Sequence, residues 1–168
     1  YNPHTRMVTL AIRQYGKFTK KVLEMDKRET VYLDGPYGVF TDELNRVAED
    51  ESVPVVMFAG GIGVTPYIQH ARSSNSDDTV LFNCNRDPQS ALFADVLKKE
   101  LHDGYVDVYS RSNPSEVHRT ENVEFGYISR EIVEKYLKRK PETYVYFICG
   151  PKQFMDLVKN ILAELGVP

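Results

Sequence analysis

A run of apolar and β-branched residues, Val53-Pro54-Val55-Val56-Met57, passes directly into Phe58-Ala59-Gly60-Gly61-Ile62-Gly63-Val64-Thr65-Pro66. The run reads as a strand, and the residues after the glycines read as a helix. Glycines between a strand and a helix let the backbone turn sharply and come close to something bulky. The helix start offers N–H groups without intrahelical partners and the positive end of the helix dipole, which suit a phosphate. Thr65 adds a hydroxyl, and Pro66 fits the first helical turn, where its missing N–H costs nothing. The spacing is not Gly-x-Gly-x-x-Gly, because Pro66 stands where the third glycine would be. Two readings stand at this point: a nucleotide site on an α/β sheet, and a strand-to-helix turn whose glycines serve packing alone.

The rest of the chain repeats the strand-then-helix rhythm. Apolar runs occur at residues 53–59, 79–83, 105–109 and 144–149, with helical patterns between them. Ala91, Ala94, Leu97 and Leu101 share one helical face, and Ile132, Val133, Tyr136 and Leu137 share another. Phe154, Leu157, Val158, Ile161, Leu162 and Leu165 form a last apolar stripe, with Gly166 placed to end the helix. Such alternation predicts an α/β fold, a doubly wound parallel sheet covered on both faces.

Residues 1–40 read differently. Residues 7–13 and 30–33 have the composition of strands, and a short helix runs from Gly16-Lys17-Phe18-Thr19 through Val22, Leu23 and Met25. Gly35-Pro36-Tyr37-Gly38 is a strong turn signal, and a short helix follows over residues 42–48. Two strands and one helix cannot build an independent core. The expected division is therefore residues 1–40 as the tail of a β-rich unit and residues 41–168 as the doubly wound domain.

Composition closes off other classes. Hydrophobic residues make up 42% of 168, enough for a full core, and the net charge is −3 with no basic stripe, which argues against nucleic acid. No apolar run approaches the ~18 residues needed to cross a bilayer. Cys84 and Cys149 lie far apart in strand-like runs, giving neither a disulfide framework nor a metal spacing; a reducing, cytoplasmic setting is expected. The chain opens on Tyr1 rather than Met and reads as a piece of something longer.

In an open parallel sheet, ligands sit beyond the carboxyl ends of the strands. The loops there are Gly60 to Pro66, then Cys84-Asn85-Arg86-Asp87, then Ser110-Arg111-Ser112-Asn113, and finally Cys149-Gly150-Pro151. Guanidinium groups and hydroxyls at two of these loops suit a phosphorylated ribose. Taken singly, Arg86 and Arg111 also read as solvated surface arginines, and Cys149 as a small apolar core residue.

Taken in register, these motifs resemble the ferredoxin–NADP reductase superfamily, which passes electrons from a nicotinamide through a flavin. Gly16-Lys17-Phe18-Thr19 resembles the family's Gly-x-x-Ser/Thr step, which implies FAD pyrophosphate contact at Thr19. Gly35-Pro36-Tyr37-Gly38-Val39-Phe40 resembles the turn joining flavin barrel to nicotinamide domain. Gly60-Gly61-Ile62-Gly63-Val64-Thr65-Pro66 is similar to the nicotinamide pyrophosphate loop, and Asn85-Arg86 to the Asn-Arg after the second strand. Cys149-Gly150-Pro151, with Met155 beyond it, is similar to the last strand-to-helix motif, whose cysteine lies near the nicotinamide ring. Ser110-Arg111 resembles the pair that grips the 2′-phosphate of NADPH, and His118 and Arg119 add charge nearby.

The resemblance implies a hydride path from NADPH, or NADH, to FAD, with Cys149 positioning the nicotinamide rather than attacking anything. Residues 1–40 become the last strands of a β-barrel flavin domain, most of which is absent, as is the family's Arg-x-Tyr/Phe-Ser flavin motif. FAD should then bind weakly or not at all to this piece alone. The implied partners are the flavin domain of the parent chain and an electron acceptor, either a membrane haem domain or an iron–sulfur protein. Leu33-Asp34-Gly35-Pro36-Tyr37-Gly38-Val39-Phe40 looks closest to the ferric reductase and NADPH oxidase branch, which places the chain at the cytosolic face of a membrane protein. The alternative from another class is a non-catalytic module that senses nicotinamide nucleotides with the same fold.

Overall fold

Among the described residues, five strands carry the apolar runs into one parallel sheet. They are β1 (Val55–Gly60), β2 (Thr79–Asn85), β3 (Tyr105–Tyr109), β4 (Val123–Phe125) and β5 (Val145–Cys149), in the spatial order β4-β3-β2-β1-β5. The computed structural model describes residues 5–35, 37–50, 52–73, 78–115 and 122–168. The described chain divides into two units, Tyr1–Gly38 and Val39–Pro168.

In the second unit the sheet is buried on both faces, as its near-continuous apolar strands require. Val56, Phe58, Val80, Phe82, Val106 and Val108 face α5 (Arg130–Tyr136) and α6 (Lys152–Glu164), which contribute Val133, Val158, Ile161 and Leu162. The alternate residues Val55, Met57, Ala59, Leu81, Tyr105 and Phe147 pack with Leu44 of α2 (Phe40–Ala48), Tyr67 and Ala71 of α3 (Tyr67–Ser73) and Leu97 of α4 (Ala94–Leu101). Stacked Phe58 and Phe82 rings, 5.1 Å apart, tie β1 to β2 on the first face.

The strand order fixes where a ligand can go. From β1 the chain walks outward through β2, β3 and β4, then returns to lay β5 against the other side of β1. The direction reverses between β1 and β5, and a crevice opens beyond their carboxyl ends at that point. Three expectations need correction. Strand β4 was not foreseen; three residues are too few to show a period. Helix α4 begins at Ala94 rather than near Ala91, because Asp87 caps a 3-10 turn over Pro88–Ser90 and Ala91 ends that turn.

The third correction lies in the first unit, where residues 7–13 and 30–33 form no strand among the described residues. Met7 makes an isolated bridge and the rest pair with nothing ladder-like. A strand exists only through its partner, and composition alone supplies none. Among the described residues the unit's one regular element is α1 (Lys17–Glu24). None of its described residues is buried, and Tyr15 and Tyr32 are 96% and 94% exposed. Among the described residues no helix is long and apolar enough to cross a membrane.

Candidate nucleotide-binding site

At the switch point, β1 ends at Gly60 and the chain enters a 3-10 turn over Gly61–Val64 before α3 starts at Tyr67. The N–H groups that follow the strand are therefore those of a tight 3-10 turn rather than of an α-helix beginning at Pro66. Gly61 sits at φ 58°, the left-handed region that favours glycine. Gly63 is needed for a different reason: a Cβ there would lie 2.2 Å from the Cys149 carbonyl oxygen. Gly60 and Gly150 face the Phe154 ring so closely that a Cβ would meet its Cδ1 at 2.8 and 2.7 Å. The glycines thus first bring the ends of β1 and β5 together. From sequence Phe154 read only as part of the last apolar stripe; it is the third residue of α6, three places after Pro151.

The other residues of this corner are placed by the same contact. Thr65 and Pro66 are half-buried between the turn and α3. Buried Tyr67 donates its hydroxyl to the Phe58 carbonyl at 3.2 Å and takes the Phe40 ring edge-on at 5.8 Å. It pins α3 under the end of β1 and was also missed, since an aromatic on an apolar stripe gives no sign of a polar task. Cys149 is half-buried, and burial pushes its thiol pKa upward, so it stays a neutral thiol at neutral pH. Pro151 precedes α6, accepting from Met155 N at 3.0 Å.

The ends of β2 and β3 are stitched together beyond the ladder. Ser110 N and Oγ both donate to the Asn85 carbonyl, at 3.0 and 3.3 Å, and Arg111 N donates to the Arg86 carbonyl at 2.9 Å. The side chains of Arg86 and Arg111 are exposed on adjacent loops. The expected residues at 60–66, 85–86, 110–111 and 149–155 thus all lie at the carboxyl edge of one sheet, because each follows or closes a parallel strand. His118 and Arg119 lie outside the described residues.

Thr19 belongs to the first unit. Its hydroxyl accepts from Tyr15 N at 2.8 Å and from Gly16 N at 3.0 Å, and donates to the Gly16 carbonyl at 3.1 Å. A hydroxyl has one proton and two lone pairs, and all three are spent on closing the start of α1.

A doubly wound sheet with its switch point walled by a glycine turn and a Cys-Gly-Pro step defines a nucleotide-binding α/β domain. The chain belongs to the oxidoreductase NAD-binding domain family, which it matches over residues 57–160, within the ferredoxin–NADP reductase superfamily that its motifs resemble. It is 30% identical to a flavohemoprotein of Rhodopirellula baltica, over 85% of this chain and 36% of that protein. It is 27% identical to NADH-cytochrome b5 reductase 1 of Meyerozyma guilliermondii, over 95% of this chain and 57% of that protein. The fold is similar to a flavohemoglobin from Malassezia yamatoensis solved with bound FAD and heme. That likeness has a TM-score of 0.56 and 22% identity, and covers 74% of this chain and 32% of that one. The chain spans about a third to somewhat over half the length of these relatives.

Proposed function

We propose that this chain is the nicotinamide-nucleotide half of an FAD-dependent NAD(P)H oxidoreductase, working with the flavin domain of a longer parent. The observation that carries the reading is the contact of the Gly60–Pro66 loop with Cys149-Gly150-Pro151 at the switch point, in a chain of an oxidoreductase NAD-binding family. On this reading residues 1–40 are the end of that flavin domain and 41–168 the nucleotide domain. When bound, the cofactors would supply the redox chemistry, hydride transfer from nicotinamide to flavin.

The chain's own residues bind and orient. The N–H groups of the Gly61–Val64 turn and the Thr65 hydroxyl would hold the pyrophosphate, with Pro66 closing the loop. Cys149, kept neutral by burial, would pack beside the nicotinamide, with Gly150, Pro151 and Met155 shaping the same wall. Asn85, Arg86, Ser110 and Arg111 would take the adenosine end.

The choice of nucleotide turns on Arg111. Arg111, beside Ser110 at the end of β3, offers an exposed guanidinium that would pair with a 2′-phosphate, and the reading is NADPH. The cytochrome b5 reductases among the relatives carry NADH in their names, which pulls the other way. Arg111→Ala should weaken NADPH binding about tenfold and leave NADH nearly unchanged. Equal losses for the two nucleotides would remove the 2′-phosphate role.

The acceptor on this reading carries haem. The relatives named flavohemoprotein and cytochrome b5 reductase support it, and an iron–sulfur acceptor has no comparable support beyond the relationship itself. A membrane haem, as in the ferric reductase branch, is the finer version; apolar helices with paired histidines in the parent would support it. The test of the whole reading is anaerobic mixing of the intact parent with NADPH or NADH. Bleaching of the flavin absorbance is expected. Nucleotide binding without bleaching would leave a sensing module instead.

A further inference from the structure

Beneath the loops at the ends of β2 and β3, a chain of buried polar side chains crosses the face covered by α2, α3 and α4. Asp107 and Asn83 are wholly buried, and Tyr105 and Asn85 nearly so. Lys98 Nζ of α4 lies 2.7 Å from Asp107 Oδ2. The Tyr105 hydroxyl donates to Asp107 Oδ1 at 2.7 Å, Asn83 Nδ2 donates to the Tyr105 oxygen at 2.7 Å, and Asn85 Nδ2 donates to Asn83 Oδ1 at 2.9 Å.

The order of donors follows from one charge. A carboxylate paired with lysine accepts only, so Tyr105 has to donate to it. The Tyr105 oxygen then accepts from an amide nitrogen, which turns the Asn83 oxygen toward Asn85. That oxygen in turn draws the Asn85 nitrogen inward. Asn85 gives its nitrogen to the network, and its oxygen, an acceptor, is left over from it at the strand end whose backbone carbonyl also holds Ser110. An asparagine amide has no polarity preference of its own; this one inherits it across three residues from Asp107.

The geometry points to Asp107 and Tyr105 as positioning residues that fix Asn85 as a hydrogen-bond acceptor for a ribose hydroxyl of the bound nucleotide. The inference rests on the nucleotide reading above and adds which group of the ligand the β2 end reads. A phosphate offers only acceptors and would be refused at this amide, whereas a sugar hydroxyl donates.

The probes are 5′-ADP and 2′,3′-dideoxy-ADP, titrated calorimetrically into the wild-type chain and into Tyr105→Phe and Asp107→Asn. Val108→Ala serves as control, on the same strand but the opposite face. Wild type should prefer ADP about three- to tenfold, the worth of one net hydrogen bond. Tyr105→Phe and Asp107→Asn should bind the two probes equally, because the relay can then reverse and present the amide nitrogen. Val108→Ala should keep the preference whatever it does to stability. A wild type that binds both probes alike, or variants that keep the preference, overturns the inference and leaves the nucleotide reading standing. Failure of both network variants to fold assigns the network to stability and likewise overturns it. A wild type that binds neither ADP nor NAD(P)H overturns the nucleotide reading itself.

Discussion

Gly63 has no room for a side chain, and the obstacle is backbone. A methyl group there would press on the Cys149 carbonyl at 2.2 Å and on the Gly150 nitrogen at 3.0 Å, groups that cannot rotate away. Gly63→Ala should therefore cost about 1–3 kcal/mol by overpacking and should weaken nucleotide binding, since the two walls of the crevice are pushed apart. Thermal unfolding and nucleotide titration check the two effects together; unchanged values for both would mean that the turn yields. The glycine run was legible in the sequence as a special turn. Its reason was not: the end of β5 at Cys149 is 86 residues away in sequence, and nothing local announces that it will lie against Gly63.

Cys149 poses a different question at the same scale. Burial pushes its thiol pKa upward, so it rests as a thiol at neutral pH, which is consistent with a positioning role. Cys149→Ala should slow flavin reduction by the intact parent while leaving nucleotide affinity almost intact. Iodoacetamide should label the free thiol only slowly until the pH rises above the ordinary thiol range. An unchanged reduction rate would return Cys149 to core packing. Asp107 shows the opposite kind of miss. A lone carboxylate in the middle of Tyr105-Val106-Asp107-Val108-Tyr109 was visible as an oddity in an apolar strand, and it was read only as part of the strand.

At the scale of elements, the edge of the sheet is held by one ion cluster. Glu124 of β4 accepts from the Tyr136 hydroxyl at 2.7 Å and is paired with Lys135, both residues of α5. Burial alone would raise the Glu124 pKa, but the hydrogen bonds from Lys135 and Tyr136 outweigh it and hold the carboxyl below its usual range. A carboxyl depressed in the folded state stabilises fully above its unfolded pKa, and that stability is lost as the pH falls through the folded value. Glu124→Gln should therefore cost about 1 kcal/mol at neutral pH, and the cost should vanish in acid. Chemical denaturation at pH 7 and pH 3 measures it. A penalty that persists at pH 3 would mean that shape, not charge, docks β4. The three residues of β4 carry no period of their own, which is why this element was invisible while β1, β2, β3 and β5 were readable from their apolar runs.

For the molecule as a whole, the sheet order does the assembling. Parallel strands all point their carboxyl ends to one edge, so loops scattered from residue 60 to residue 155 arrive together without any local signal between them. That inference from alternation is what made the candidate site legible. It failed for residues 7–13 and 30–33, where composition imitated strands but no ladder forms among the described residues. The difference predicts how separable the parts are. Every buried residue described lies at Leu44 or beyond, and every proposed nucleotide contact lies within 60–155, whereas Thr19 has spent its hydroxyl on α1. Residues 39–168 alone should therefore unfold at nearly the temperature of the whole chain and bind NAD(P)H with the same affinity, since the described buried residues and the proposed nucleotide contacts all lie within that segment. Thermal melts and nucleotide titrations of the two lengths settle it. A markedly weaker nucleotide affinity in the shorter chain would show that residues 1–38 contribute to the nucleotide site directly, and the proposed division at residue 40 would have to move.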